Sequence, residues 1–255
     1  MKRTALRLAP LAAFFCLTGT QAATDKANVS RVYDDIVAPA DQQAYEAGVK
    51  TFNQCLHEHG FKFTWTAWNH ETGDTYEYSY VSDGLTWADF DTMHATIGPC
   101  APVWQSAVNP HLKGEGSSFA ESMPKLSHMP KGSEPNPKLM AVTLFTLKQG
   151  HVADEAFNHA VEALTAAANK SNWPGHYEFV KVRYGGADAP DYILLSDLSK
   201  NWADFGTEIN PPFWKMVEGI YGKAKTAELR KTLGDTIMRE SQHVDSYNAD
   251  LTYRP

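Results

Sequence analysis

A near-repeat within the chain limits its possible folds more than any other feature. Ser82-Asp83 is followed by Trp87-Ala88-Asp89-Phe90, and Ser196-Asp197 by Trp202-Ala203-Asp204-Phe205. Downstream, Pro102-Val103-Trp104 is answered by Pro212-Phe213-Trp214. Two ordered matches at offsets near 110–115 read as a tandem duplication of a unit of roughly 110 residues. Residues 131–137, in a stretch rich in Pro, Ser, Lys and Gly, read as the linker, which gives a first repeat over 23–130 and a second over 138–255.

Residues 1–22 are set apart. Lys2, Arg3 and Arg7 precede an apolar run, and small residues follow at Thr20-Gln21-Ala22, the layout of a secretory signal peptide cleaved after Ala22 or Ala23. The run is about half the ~20 residues a membrane-spanning helix needs. Loss of the three basic residues leaves 20 Lys+Arg against 30 Asp+Glu, a net charge of −10. Such a chain repels phosphate backbones, which argues against a nucleic-acid partner. The expected location is the periplasm or the cell exterior, where the two remaining thiols, Cys55 and Cys100, favour a disulfide.

Each copy shows the same order of elements. In the second, 139–147 reads as a β-rich strand. Residues 151–169 carry Phe157, Ala160, Val161, Leu164 and Ala168 at helical spacing, the stripe of a helix resting on a sheet. Strands are expected at 176–184 and 192–195, a helix over 212–223 and a last strand over 236–243. In the first copy, strands are expected at 29–37, 61–69, 75–81 and 117–126, with helices at 41–59 and 99–108. The order βαββαβ is the ferredoxin-like split βαβ unit. Its bare sheet face needs a partner, and the other copy supplies one by packing sheet to sheet.

This order and duplication resemble the dimeric α/β barrel superfamily in its fused, two-repeat form, the group of NIPSNAP-like proteins and antibiotic-biosynthesis-type monooxygenases. The resemblance covers nearly the whole mature chain and implies a ligand site between the copies. The βαββαβ order also sets a test. The end of the first helix should lie beside the start of the second, which puts Cys55 and Cys100 within the 4.4–6.8 Å Cα separation of a disulfide.

Chemistry-bearing motifs are few. No HExxH, paired CxxC, phosphate loop or GxSxG elbow occurs. Asp89 and Asp204 read either as carboxylates paired across a pseudo-twofold axis or as helix caps whose Trp and Phe neighbours anchor a turn in the core. His57 and His59 fall in a last helical turn, where i and i+2 point apart, so no metal site is expected there. The aromatic strands offer the candidate ligand surface: Trp65, His70, Tyr78, Phe179 and Tyr184. Two functional readings stay open. One is a non-catalytic module, monomer or homodimer, that binds a small apolar or aromatic ligand or serves as an interaction module, and needs no cofactor. The other is an oxygenase-like enzyme handling haem or a quinol-type aromatic in the space between the copies.

Overall fold

The computed structural model describes residues 27–130, 132–133 and 136–255. The expected signal peptide lies outside these residues, as does part of the linker. Alternation of large apolar and polar residues, with β-branched and aromatic types, gives eight strands: β1 (Val29–Val37), β2 (Trp65–His70), β3 (Glu77–Leu85), β4 (Leu112–Ser122), β5 (Leu139–Leu147), β6 (Tyr177–Tyr184), β7 (Tyr192–Ser199) and β8 (Ile237–Tyr253). The helices are α1 (Gln42–Glu58), α2 (Asp89–Ile97), α3 (Ala101–Ala107), α4 (His151–Ser171), α5 (Trp202–Phe205) and α6 (Phe213–Thr236).

The strands close into one antiparallel barrel in the order β1-β3-β2-β8-β5-β7-β6-β4. The first four strands are therefore contiguous as β4-β1-β3-β2, and the last four as β8-β5-β7-β6. Two seams join them. Trp65 to His70 pair with residues 245–253 of β8, and Phe119 to Ser122 pair with residues 180–184 of β6. Because both edges of each set are paired, no strand edge stays open in the ring.

Three apolar clusters follow from the two faces of the sheet. Outside, α1 and α3 cover a first core containing Val49, Phe52, Phe61, Tyr78 and Tyr80. Also outside, α4 and α6 cover a second containing Phe145, Phe157, Leu164, Tyr177 and Phe179. The third fills the barrel with Trp68, Met140 and Val142, flanked by Val81, Leu144, Ile193 and Tyr247. Chain segments cross between the outer cores. Leu251 and Tyr253 of β8 are buried in the first, where Tyr253 Oη donates to the Phe61 carbonyl at 2.6 Å. Leu126, just beyond β4, is buried in the second, and Thr165 Oγ1 donates to its carbonyl at 2.9 Å.

The stripe on α4 is buried as its spacing predicts. Other elements differ from expectation. The strand expected over 61–69 begins at Trp65, and Phe61 packs in the first core without being in a strand. The helix expected over 99–108 is preceded by α2 and a 3₁₀ turn at Gly98–Cys100. The strand expected to end at His243 runs on to Tyr253, and the helix expected to end at residue 223 runs to Thr236 across a break at Gly222 (φ 77°). In both extensions tertiary pairing overrides a polar local sequence.

Cys55 and Cys100 are bonded, with Cα atoms 5.8 Å apart, inside the expected window. The backbone of α3 comes so close to Gly48 on α1 that a Cβ there would lie 1.9 Å from the Ala107 carbonyl oxygen. Glycine and disulfide together draw the helices of the first half tight. Closing a loop of 45 residues stabilises by about 3–4 kcal/mol on the chain-entropy model. The double substitution Cys55→Ser, Cys100→Ser should lower the unfolding free energy in denaturant titration by about that amount. An unchanged midpoint would show that the cross-link does not constrain the unfolded chain.

Asp35 is fully buried under α1. Tyr45 Oη donates to its Oδ2 at 2.6 Å, while Oδ1 has no partner. Burial pushes its carboxyl up to about 7; the Tyr45 hydrogen bond opposes the shift, and the charges of Glu115 and Asp34 add to it. The unfolded chain titrates near the ordinary value of ~3.9. Folding therefore favours the protonated form, a contribution fully present below about pH 4 and lost as pH rises through 7. Asp35→Asn removes this titration. The stability of the variant relative to wild type should increase on the order of 2–4 kcal/mol between pH 4 and pH 8, read from melts at both. A difference that does not change with pH would mean that Asp35 ionises normally.

Candidate functional site

An aromatic-lined space lies between the sheet and helices α4 and α6 of the second half. It is a cleft of about 820 Å³ lined by Phe157, Trp173, Phe179, Phe213 and Trp214 among others, with Arg230, His176 and Gln242 as polar tips. The matching space of the first half, under α1 and α3, holds about 310 Å³ and is lined by Tyr33, Phe52, Trp65 and Trp104. The contrast agrees with the tight helix pair of the first half. An apolar space with a few convergent polar groups suits a small organic ligand.

Arg230 reaches the cleft from α6 with its guanidinium carbon 4.3 Å from the Trp214 ring centroid. This cation–π contact holds five donors beside an aromatic wall. His176, at the start of β6, has Nε2 2.9 Å from Glu178 Oε1, while its Nδ1 is buried without a partner. Asp197 lines the same cleft from β7 in a left-handed conformation (φ 51°), which a non-glycine residue rarely adopts. Desolvation raises its pKa, partly offset by a hydrogen bond with Ser196. A neighbouring depression of about 1110 Å³ shares His176, Asp197 and Ile209 with the cleft, so the two spaces adjoin.

A second constellation lies inside the barrel. His70 follows Trp68 on the interior face of β2, and His243 and Asp245 precede Tyr247 on that of β8. Ser79 Oγ donates to Asp34 Oδ1 at 2.7 Å and lies 3.0 Å from His70 Nε2. Burial raises the pKa of Asp34 and of Glu77 and lowers that of His70. For His243 burial acts downward, but the adjacent Asp245 carboxylate and the charges of Glu77 and Asp34 outweigh it, and the pKa rises.

The five aromatic and histidine residues expected to bind ligand are dispersed. Phe179 is in the second-half cleft and Trp65 lines the smaller first-half space. Tyr78 is in the first core, where its hydroxyl donates to Glu46 Oε1 at 2.8 Å. His70 is in the barrel, and Tyr184 is 70% exposed beside Trp87. Alternation along a strand identifies two faces without saying which meets helices. Arg230 escapes sequence reading because it lies on the helix extension past Gly222; Trp214 enters it only as part of the repeat and not as a site residue. Asp245, beyond the expected end of the last strand, escapes it too.

The Trp-Ala-Asp-Phe segments act locally. Asp89 Oδ2 accepts from the Thr86 backbone N–H at 2.7 Å, and the Asp89 N–H donates to Thr86 Oγ1 at 3.3 Å, a reciprocal capping box. At the second segment the Asp204 N–H donates to Asn201 Oδ1 at 3.0 Å, and the Asn201 side-chain amide, rather than its backbone, donates to Asp204 Oδ2 at 2.8 Å. The residue three before each Asp is therefore the cap, and the Asp is its reciprocal partner. The tryptophans are not core anchors: Trp87 is 39% and Trp202 55% exposed.

No family model matches the chain, and no curated protein matches it in sequence. Solved structures share its fold. A protein assigned as a monooxygenase from Lactobacillus acidophilus is 10% identical over 89% of this chain and 95% of its own, with a TM-score of 0.51. An anthrone oxidase-like protein is 9% identical over 88% and 93%, at 0.52. A chlorite dismutase variant from Candidatus Nitrospira defluvii is 12% identical over 89% and 94%, also at 0.52. The chain thus has the fold of the dimeric α/β barrel superfamily, and at these identities the likeness carries the fold alone.

Proposed function

We propose that this is an exported protein that binds an aromatic, quinol-type small molecule in the second-half cleft. The observation that carries the reading is the aromatic wall of Trp173, Phe179, Phe213 and Trp214 with the Arg230 guanidinium held against it. Flat rings stack on such walls, and Arg230 donates to a phenol or phenolate oxygen. The leader over 1–22 directs the chain to the periplasm or exterior, in keeping with the Cys55–Cys100 disulfide. The contiguous strand orders β4-β1-β3-β2 and β8-β5-β7-β6 support tandem ferredoxin-like repeats over 23–130 and 138–255. Among the described residues no helix is long and apolar enough to cross a membrane.

The second reading is oxidation of the bound aromatic by dioxygen, favoured by fold neighbours described as monooxygenase and anthrone oxidase-like. We assign no haem to this cleft. His176 is its imidazole; Nε2 is engaged by Glu178 and Nδ1 is buried, so neither nitrogen is presented to an iron.

Titration with 1,4-naphthohydroquinone under nitrogen should quench tryptophan fluorescence saturably, with Kd in the micromolar range, about −8 kcal/mol. Arg230→Ala and Trp214→Ala should each weaken binding about tenfold, and Trp104→Ala in the first half should leave it unchanged. Absence of saturable quenching up to the solubility limit would refute the binding reading. Oxygen uptake on admitting air separates an enzyme from a binding module. A Soret shift with hemin would overturn the exclusion of haem.

A further inference from the structure

His70 and Asp245 stand directly opposite each other across the β2–β8 seam, and His243 is two residues from Asp245 on the same interior face. Both imidazoles converge on one atom. Asp245 Oδ1 is 3.7 Å from His70 Nε2 and 3.3 Å from His243 Nε2, and the two rings stack with centroids 4.2 Å apart. These spacings are long for N–H···O hydrogen bonds, whose usual range is about 2.7–3.2 Å. Donors around a tetrahedral ion with bonds of about 2.0–2.2 Å stand about 3.3–3.6 Å apart; the His243 spacing falls in that range and the His70 spacing lies just outside it. Independently, Asp245 is only 2% exposed and its Oδ1 has no hydrogen-bond partner. A buried carboxylate oxygen in that state calls for a cationic partner.

We propose that His70 Nε2, His243 Nε2 and the Asp245 carboxylate form a binding site for a zinc-class divalent transition-metal ion. Two imidazoles and one carboxylate suit such an ion, and three protein donors leave a position for water. The surroundings are those of a ligand set. Ser79 Oγ gives its proton to Asp34 and lies 3.0 Å from His70 Nε2, so metal binding requires that imidazole to move its proton to Nδ1, on the side of Glu77 Oε2 at 3.7 Å, and so free Nε2. Asp34, bonded to Ser79, and Glu77 bring the carboxyl groups around the site to three. Access is from the rim, where the side chains of Glu77 and His243 are 27% and 14% exposed. Cys55, His59 and Cys100 also cluster, but their sulfurs are bonded to each other and offer no thiolate. The barrel site is separate from the cleft and does not depend on what the cleft binds.

The disulfide-intact mature chain is stripped with a chelator and titrated with CoCl₂ and then ZnCl₂, followed by calorimetry and visible absorption. One ion per chain is expected, at micromolar affinity or tighter, with ligand-field bands of nitrogen–oxygen coordination that zinc abolishes. His243→Gln and Asp245→Asn should each weaken binding at least about tenfold, and Glu77→Gln should weaken it by less. His59→Ala should leave it unchanged. No saturable binding, or binding that His243→Gln and Asp245→Asn leave intact, overturns the proposal. If a variant does not fold, the wild-type cobalt spectrum decides: one-to-one nitrogen–oxygen bands uphold the site, and their absence removes it.

Discussion

Everything in this molecule depends on pairing strand edges across two seams. A four-stranded sheet with helices on one face leaves two open edges and one bare apolar face. Pairing β2 with β8 and β4 with β6 removes all four edges, and the bare faces become the barrel interior around Trp68, Met140 and Val142. This explains why β8 needs 17 residues. Residues 237–246 pair with β5, and residues 245–253 pair with β2. Closure also fixes which side chains meet in the interior, because a strand shifted by one residue would turn His70 or Asp245 outward.

The two outer faces have taken different courses within one frame. Under the first, the disulfide, Gly48 and the bonded Asp35–Tyr45 pair hold helix to sheet with little space left. Under the second, the break at Gly222 divides α6 and the Phe213–Trp214 pair faces the sheet across an open cleft. Rigid support on one side and room on the other is the arrangement expected of a scaffold with a binding side.

Much of the frame was legible in the sequence. The spacing of its apolar stripe marked α4, and the helix order placed Cys55 beside Cys100. What stayed hidden has physical causes. The run His243-Val244-Asp245-Ser246-Tyr247-Asn248-Ala249-Asp250 is too polar to read as strand, since its polar groups are accommodated by a distant partner, β2. Asp89–Ile97 has only Phe90 and Met93 buried, too weak a stripe to mark a helix. The Trp of each repeat pattern was read as core because aromatic residues usually are, yet both are surface residues beside a local cap. The His70–His243–Asp245 group has no motif, since its members come from strands some 170 positions apart and meet only through closure.

The crossing of Leu126 into the second core, and of Leu251 and Tyr253 into the first, has a consequence for what counts as a unit. Along the chain, β1–β4 come first and β5–β8 second. In space a cut between them does not separate two self-sufficient bodies: the first half keeps a residue that belongs in the second core, and the second keeps the end of a strand that completes the first. The halves are interlocked in the manner of exchanged arms. The peptide between them sets their stoichiometry at one to one, while the mutual insertion holds them together.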